Sequence, residues 1–122
     1  MAKTVLIIDD NKFGRDIVKM TLEGAGFTVL AAGEGNEGLE MLQKNQVDLV
    51  LLDLILPGLD GFGVLGLIKS DPKTQDIPVF VLTGRDSQDE YDEAIRLGAK
   101  ECFIKYRMPH VELVKVVKQF LK

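Results

Sequence analysis

Leu49-Val50-Leu51-Leu52-Asp53 is the stretch that decides how this chain folds. Four large aliphatic residues run without a polar break and then stop at a carboxylate. A strand with one wet face alternates apolar and polar residues. A continuous apolar run marks a strand covered on both faces, as in a parallel sheet. In the loop that follows, Pro57-Gly58 reads as a turn, and Asp60 reads as a turn residue before Gly61.

Working outward, the same pattern recurs. Val5-Leu6-Ile7-Ile8 runs into Asp9-Asp10, Val79-Phe80-Val81-Leu82 into Thr83, and Cys102-Phe103-Ile104 into Lys105. Phe27 to Ala32 is a weaker strand that fits an edge position. Helical patterns fill the gaps. Ile17, Val18, Thr21 and Leu22 form a stripe from Asn11 to Glu23, which Gly24 or Gly26 can close. Leu39, Met41 and Leu42 mark a second helix. Phe62, Leu65, Leu67 and Ile68 mark a third, weakened by Gly63 and Gly66 at roughly 1 kcal/mol each relative to alanine. Tyr91, Ala94 and Ile95 mark a fourth, stopped by Gly98. Pro109 suits the first turn of a fifth, carried by Leu113, Val116, Val117, Phe120 and Leu121. Five strands alternating with five helices predict an α/β fold with a parallel sheet and right-handed crossovers. No linker, repeat or low-complexity tract interrupts residues 1–122, so one domain is expected, with no output domain after the last helix.

The polar endings carry the chemistry. In a parallel sheet all strand C-termini share one edge, and ligands bind in the crevice beyond it. Asp9, Asp10, Asp53, Thr83 and Lys105 are therefore expected to converge. Two carboxylates ~4 Å apart repel by about 4 kcal/mol at an effective dielectric near 20. Three of them call for a cation, and oxygen-only ligands with room for water suit Mg²⁺ or Mn²⁺ better than zinc. A carboxylate beside such a metal can act as a nucleophile toward phosphorus. The metal and Lys105 would neutralise the charge that develops on the phosphoryl oxygens.

Bulk properties narrow the field. The chain has 122 residues, 46% hydrophobic and 28% charged, with net charge −4. A chain of this length buries about two-thirds of its unfolded surface and needs no disulfide or structural metal. One cysteine, Cys102, excludes an internal disulfide, and with one histidine, His110, a structural zinc site is not expected. The acidic balance argues against nucleic acid. No apolar run approaches the ~20 residues of a membrane span. The start, Met1-Ala2-Lys3-Thr4-Val5, has no signal-peptide form. A cytoplasmic protein is expected. G-x-x-x-x-G-K-[ST] is missing, which excludes a P-loop NTPase. A flavin phosphate loop after the first strand would be repelled by Asp9-Asp10.

Five parts of the sequence together resemble the receiver family of bacterial response regulators. They are Val5-Leu6-Ile7-Ile8-Asp9-Asp10, Leu51-Leu52-Asp53-Leu54-Ile55-Leu56-Pro57-Gly58-Leu59-Asp60-Gly61, Val81-Leu82-Thr83-Gly84, Gly98-Ala99 and Phe103-Ile104-Lys105. The resemblance covers the whole chain. It implies a single flavodoxin-like (βα)5 domain with helices on both faces and strand order 2-1-3-4-5, an order for which receivers are a known example. It also implies a phosphoacceptor switch or relay that takes a phosphoryl group from a histidine kinase or phosphotransfer protein. Asp53 would be the acceptor. Asp10, Asp53 and the Ile55 carbonyl would bind Mg²⁺, with Asp9 supporting it through water. Lys105 would pair with a phosphoryl oxygen, and Thr83 would move toward the phosphate. Such a domain catalyses only its own phosphorylation and dephosphorylation. The alternative is a pseudo-receiver, a binding module that works without phosphorylation.

Plainer roles compete for some residues. Asp10 fits a cap of the first helix. Phe13 fits either a partner contact or core packing. His110 reads as a solvated surface residue, and Cys102 as a small buried hydrophobe. The run Asp86, Asp89, Glu90, Asp92, Glu93 reads as a solvated helix face. Arg85, two residues after Thr83, is expected to lie across the phosphate, with extension into solvent as the plainer alternative. Two departures from the family stand out. Cys102 occupies the place of the usual Tyr or Phe switch residue, which leaves the export route open. Tyr106 replaces the proline after the lysine, so a trans Lys105–Tyr106 bond is expected, a cis one costing about 3–4 kcal/mol.

Overall fold

The computed structural model describes residues 2–122. Its elements alternate without exception: β1 (Thr4–Ile8), α1 (Lys12–Gly24), β2 (Thr28–Ala32), α2 (Gly35–Lys44), β3 (Leu49–Asp53), α3 (Gly61–Ser70), β4 (Val79–Thr83), α4 (Gln88–Arg96), β5 (Glu101–Ile104) and α5 (His110–Phe120). A short 3₁₀ turn, Lys105–Arg107, joins β5 to α5. All pairings are parallel and the strand order is β2-β1-β3-β4-β5. The expected fold class, flavodoxin-like (βα)5 with helices on both faces, is the one observed. β2 lies at the edge, as its weaker sequence pattern suggested.

The unbroken apolar runs split between two cores because successive side chains of a strand point to opposite faces. Leu6, Ile8, Val50, Leu52, Val79 and Val81 pack with Leu42, Val64, Leu65, Ile68 and Ala94 of α2, α3 and α4. Val5, Ile7, Leu49, Leu51, Phe80 and Leu82 pack with Leu22, Leu113 and Val117 of α1 and α5. Every residue of β3 and β4 is buried, which accounts for the lack of polar residues in those runs before their ends.

Helix boundaries sharpen several expectations. Asn11, not Asp10, caps α1, its side chain accepting from the Gly14 N–H at 3.0 Å. The amide reaches forward to the first turn, while Asp10 is exposed to solvent. Asp60 is more than a turn residue: it caps α3 by accepting from the Gly63 N–H at 2.9 Å. Ala25 ends α1, and Gly26 takes the left-handed conformation at φ +99° that favours glycine. Pro109 stands one position before the first turn of α5, at its N-cap. No peptide bond among the described residues is cis, so Lys105–Tyr106 is trans as expected. No helix among them is long and apolar enough to cross a membrane.

Candidate functional site: an acidic cluster at the carboxyl edge

Strand register builds the site. Ile8 pairs with Leu52, so Asp9 and Asp53 leave neighbouring strands side by side. Asp53 pairs with Leu82 and Thr83 with Ile104, which sets Thr83 and Lys105 one step further along the same edge. Gly61 lets α3 begin directly beneath Asp53. A Cβ there would come within 2.5 Å of the Asp53 carbonyl oxygen and closer still to Leu54 Cα.

Asp9, Asp10 and Asp53 each present a carboxylate oxygen, and these atoms all lie within 4.8 Å of one another. Asp9 and Asp53 are buried, as is Thr83. Lys105 Nζ donates to Asp9 Oδ2 at 2.8 Å and to Asp53 Oδ2 at 3.1 Å. The remaining oxygens are steered by the backbone: Asp53 Oδ1 accepts from the Ile55 N–H at 3.1 Å, and Asp9 Oδ1 from the Asn11 N–H at 3.0 Å. Arg15 Nη1 fixes the acidic loop from outside by donating to the Asp9 carbonyl at 2.8 Å. Thr83 Oγ1 accepts from the Arg85 N–H at 3.2 Å, which leaves its own O–H to donate elsewhere.

The electrostatics follow from this packing. Burial pushes the Asp53 carboxyl above the usual carboxylate range, and the Asp9 charge adds to that. The Ile55 N–H and Lys105 pull the other way without reversing it. Burial would lower the Lys105 ammonium, but its bonds to Asp9 and its attraction to Asp53 outweigh burial and raise it. The two directions are consistent because one ammonium is shared by two carboxylates. It stays charged, yet it cannot neutralise both. An all-oxygen donor set with one member open to water fits a hard divalent cation that keeps several waters.

Asp9, Asp10, Asp53, Thr83 and Lys105 are thus brought together as expected, and Ile55 adjoins them through its backbone. Other side chains depart from expectation. Phe13 is 77% exposed, so it takes no part in the core. Cys102 is only half-buried, packed against the α2–α3–α4 core. His110 is exposed as expected. Arg85 does not lie across Asp53, because its Nη1 is held at 2.8 Å by Glu90 Oε2. Its side chain is 58% exposed, close to the plainer alternative. Nor is the acidic run wholly solvated. Asp86 pairs with Arg107 at 2.8 Å, and Glu90 turns partly inward. Sequence carried a faint signal for the second feature: Ser87 caps α4 by accepting from the Glu90 N–H at 3.2 Å, which fixes the Glu90 position on the first turn.

Fold and site together define a doubly wound α/β domain that gathers an acidic cluster and an ammonium where strand ends meet. The sequence profile of the response regulator receiver domain matches residues 5–118. The chain belongs to that family and is a receiver domain of the two-component type. It is similar to the chemotaxis protein CheY4 of Vibrio cholerae, 27% identical over 98% of both chains, with TM-score 0.90. A CheY-like receiver domain protein from Methanospirillum hungatei is 26% identical over 99% of this chain and 94% of that one, with TM-score 0.91. A response regulator from Burkholderia pseudomallei, with a phosphorylated aspartic acid, calcium ion and citrate, is 26% identical. That likeness covers 84% of this chain and 59% of the other, with TM-score 0.78.

Proposed function

We propose that the single domain of residues 1–122 takes a phosphoryl group onto Asp53 from a phosphohistidine of a histidine kinase or phosphotransfer protein. The observation that carries this is the meeting of three carboxylate oxygens within 4.8 Å beside a lysine that bonds two of them. The phosphorylated aspartate in the Burkholderia relative supports it. Asp9, Asp10, Asp53 and the Ile55 carbonyl would hold Mg²⁺, or Mn²⁺. When bound, the ion supplies positive charge to the phosphoryl oxygens.

The chain's own residues do the rest. One Asp53 oxygen forms the bond to phosphorus as the phosphorus–nitrogen bond to the donor imidazole breaks. The leaving imidazole takes up a proton from solvent. Before transfer, Lys105 and the Ile55 N–H orient the Asp53 carboxylate. After transfer, the Lys105 ammonium pairs with a phosphoryl oxygen, and the Thr83 hydroxyl donates to another. The domain acts on no other substrate: it catalyses only its own phosphorylation and dephosphorylation. It works in the cytoplasm, where a kinase can reach the exposed carboxyl edge.

The test is phosphotransfer from a panel of histidine kinases, and from acetyl phosphate, followed by mass spectrometry. A single Mg²⁺-dependent phosphoryl adduct is expected, lost in Asp53→Asn and on chelation. An adduct mapped to His110, or one that persists in Asp53→Asn, defeats the assignment.

A further inference from the structure

A cavity of about 330 Å³ opens beside the acceptor site, between the start of α4 and the end of β5. Thr83 and Cys102 line it from the sheet, Arg85 and Tyr91 from the α4 side, and Arg107 and Met108 from the turn after β5. With Cys102 in place of an aromatic, no bulky side chain at this position can swing in or out.

Two ion pairs cross the rim instead. Arg85 Nη1 to Glu90 Oε2, at 2.8 Å, ties the β4–α4 loop to the first turn of α4. Arg107 Nη2 to Asp86 Oδ2, also at 2.8 Å, ties the turn that begins at Lys105 to the same loop. Glu90 is the unusual member, because its Oε1 is buried and has no hydrogen-bond partner among the described residues. Arg85 is therefore what keeps this carboxylate neutralised in place. Burial first, and the Glu90 charge second, hold the Cys102 thiol above its ordinary range, so the Glu90 carboxylate is close enough to act on Cys102 although it does not line the cavity itself.

We propose that the Arg85–Glu90 pair is a resting-state latch, opened when a phosphoryl group on Asp53 draws Arg85 to itself. The inference rests on the phosphoacceptor reading of Asp53. Arg85 is anchored beside the site by its backbone N–H, which donates to Thr83 Oγ1 at 3.2 Å. A phosphoryl group brings more negative charge than a carboxylate and three acceptor oxygens. A guanidinium fork matches that geometry. The existing pair is half in solvent, a setting in which ion pairs hold weakly. Once Arg85 leaves, Glu90 has a buried oxygen with neither partner nor counter-charge. Such a group is costly to keep inside, so the side chain turns out to water. The first turn of α4 then loosens and the cavity mouth beside Cys102 opens. Phosphorylation is exported through an exchange of ionic partners rather than through a rotating ring.

Cys102 is the chain's single cysteine and serves as a built-in reporter. The experiment compares its alkylation rate by an uncharged maleimide, with Mg²⁺, before and after acetyl phosphate. Phosphoryl occupancy is read on the same samples by mass spectrometry. The wild type should react faster when phosphorylated, by about fivefold, the most that one exposed ion pair holds closed. The added negative charge alone would raise the thiol further and slow the reaction, so acceleration reports opening. In Glu90→Gln and Arg85→Gln, the ratio of phosphorylated to resting rates should fall to near one. Because each ratio is taken within one protein, a variant that is merely less stable shifts both rates and keeps the wild-type ratio. Full occupancy with an unchanged or slower rate, or variants that retain the wild-type ratio, overturns the latch alone. No phosphoryl adduct in the wild type overturns the phosphoacceptor reading and the latch with it.

Discussion

Without metal, the Asp53 carboxylate should be a burden on the fold, and Asp53→Asn should relieve it. The carboxylate oxygens of Asp9, Asp10 and Asp53 lie within 4.8 Å of one another. At that separation each pair repels by about 3.5 kcal/mol at an effective dielectric near 20. Against the two repulsions that Asp53 feels stands one attraction, to Lys105 Nζ at 3.1 Å, worth about 5 kcal/mol on the same scale. Burial of Asp53 adds to the repulsive side, while solvent around exposed Asp10 reduces it. The balance is a stabilisation on the order of 1 kcal/mol for Asp53→Asn, or roughly 3–5 °C in Tm for a domain of this size. The direction agrees with the raised Asp53 carboxyl. A carboxyl whose folded pKa exceeds its unfolded one keeps a proton, between those two values, that the unfolded chain has released. Wild-type stability therefore falls as pH rises through that window, and the whole penalty is present at neutral pH. Urea unfolding in chelator at several pH values should show Asp53→Asn ahead of wild type at pH ~7.5, with the gap closing as acid protonates Asp53. At ~10 mM Mg²⁺ the order should reverse, because the proposed donor set is complete only in the folded wild type. Equal stability of the two proteins in chelator at neutral pH would refute the electrostatic reasoning. Equal gains from Mg²⁺ would refute the donor set.

Two further outcomes follow from the geometry around Asp53. Gly61→Ala would set a Cβ 2.5 Å from the Asp53 carbonyl oxygen, against backbone that cannot yield. It should cost about 1–3 kcal/mol in urea unfolding and slow phosphorylation by acetyl phosphate, and an unchanged unfolding midpoint would contradict the close approach. Ile55 is 45% exposed two residues after the acceptor and offers an attacking water no hydrogen bond. Ile55→Asn should shorten the lifetime of the Asp53 phosphate severalfold in a mass-spectrometric time course, and unchanged decay would show that the side chain does not stand over the approach.

What could be read from the sequence, and what could not, divides along a physical line. Asp9, Asp53, Thr83 and Lys105 were legible because each ends an apolar run, and parallel pairing carries all such ends to one edge. Backbone hydrogen bonds set that geometry, and the Ile8–Leu52 and Thr83–Ile104 pairings leave the side chains little choice. The rim beside the site was not legible. Arg85 was expected on the phosphate and is found on Glu90, while Glu90 was expected in solvent and has a buried oxygen. Long side chains choose partners by tertiary distance, which no local pattern encodes, and the Asp86–Arg107 pair spans 21 positions. The cap at Asn11 was missed for a smaller reason. Asp10 and Asn11 are both good caps, and only the start of α1 at Lys12 decides between them. The division has a functional side. Residues fixed by register are the ones to which the proposed phosphoryl chemistry is assigned. Residues fixed by side-chain pairing ring the cavity, where one substitution alters the rim without moving an acceptor atom. A cysteine where receivers usually carry an aromatic, at position 102, fits that division: the acidic cluster and Lys105 keep their bonds, while under the proposed latch the path out of the site would pass to charged side chains on α4 and on the turn after β5.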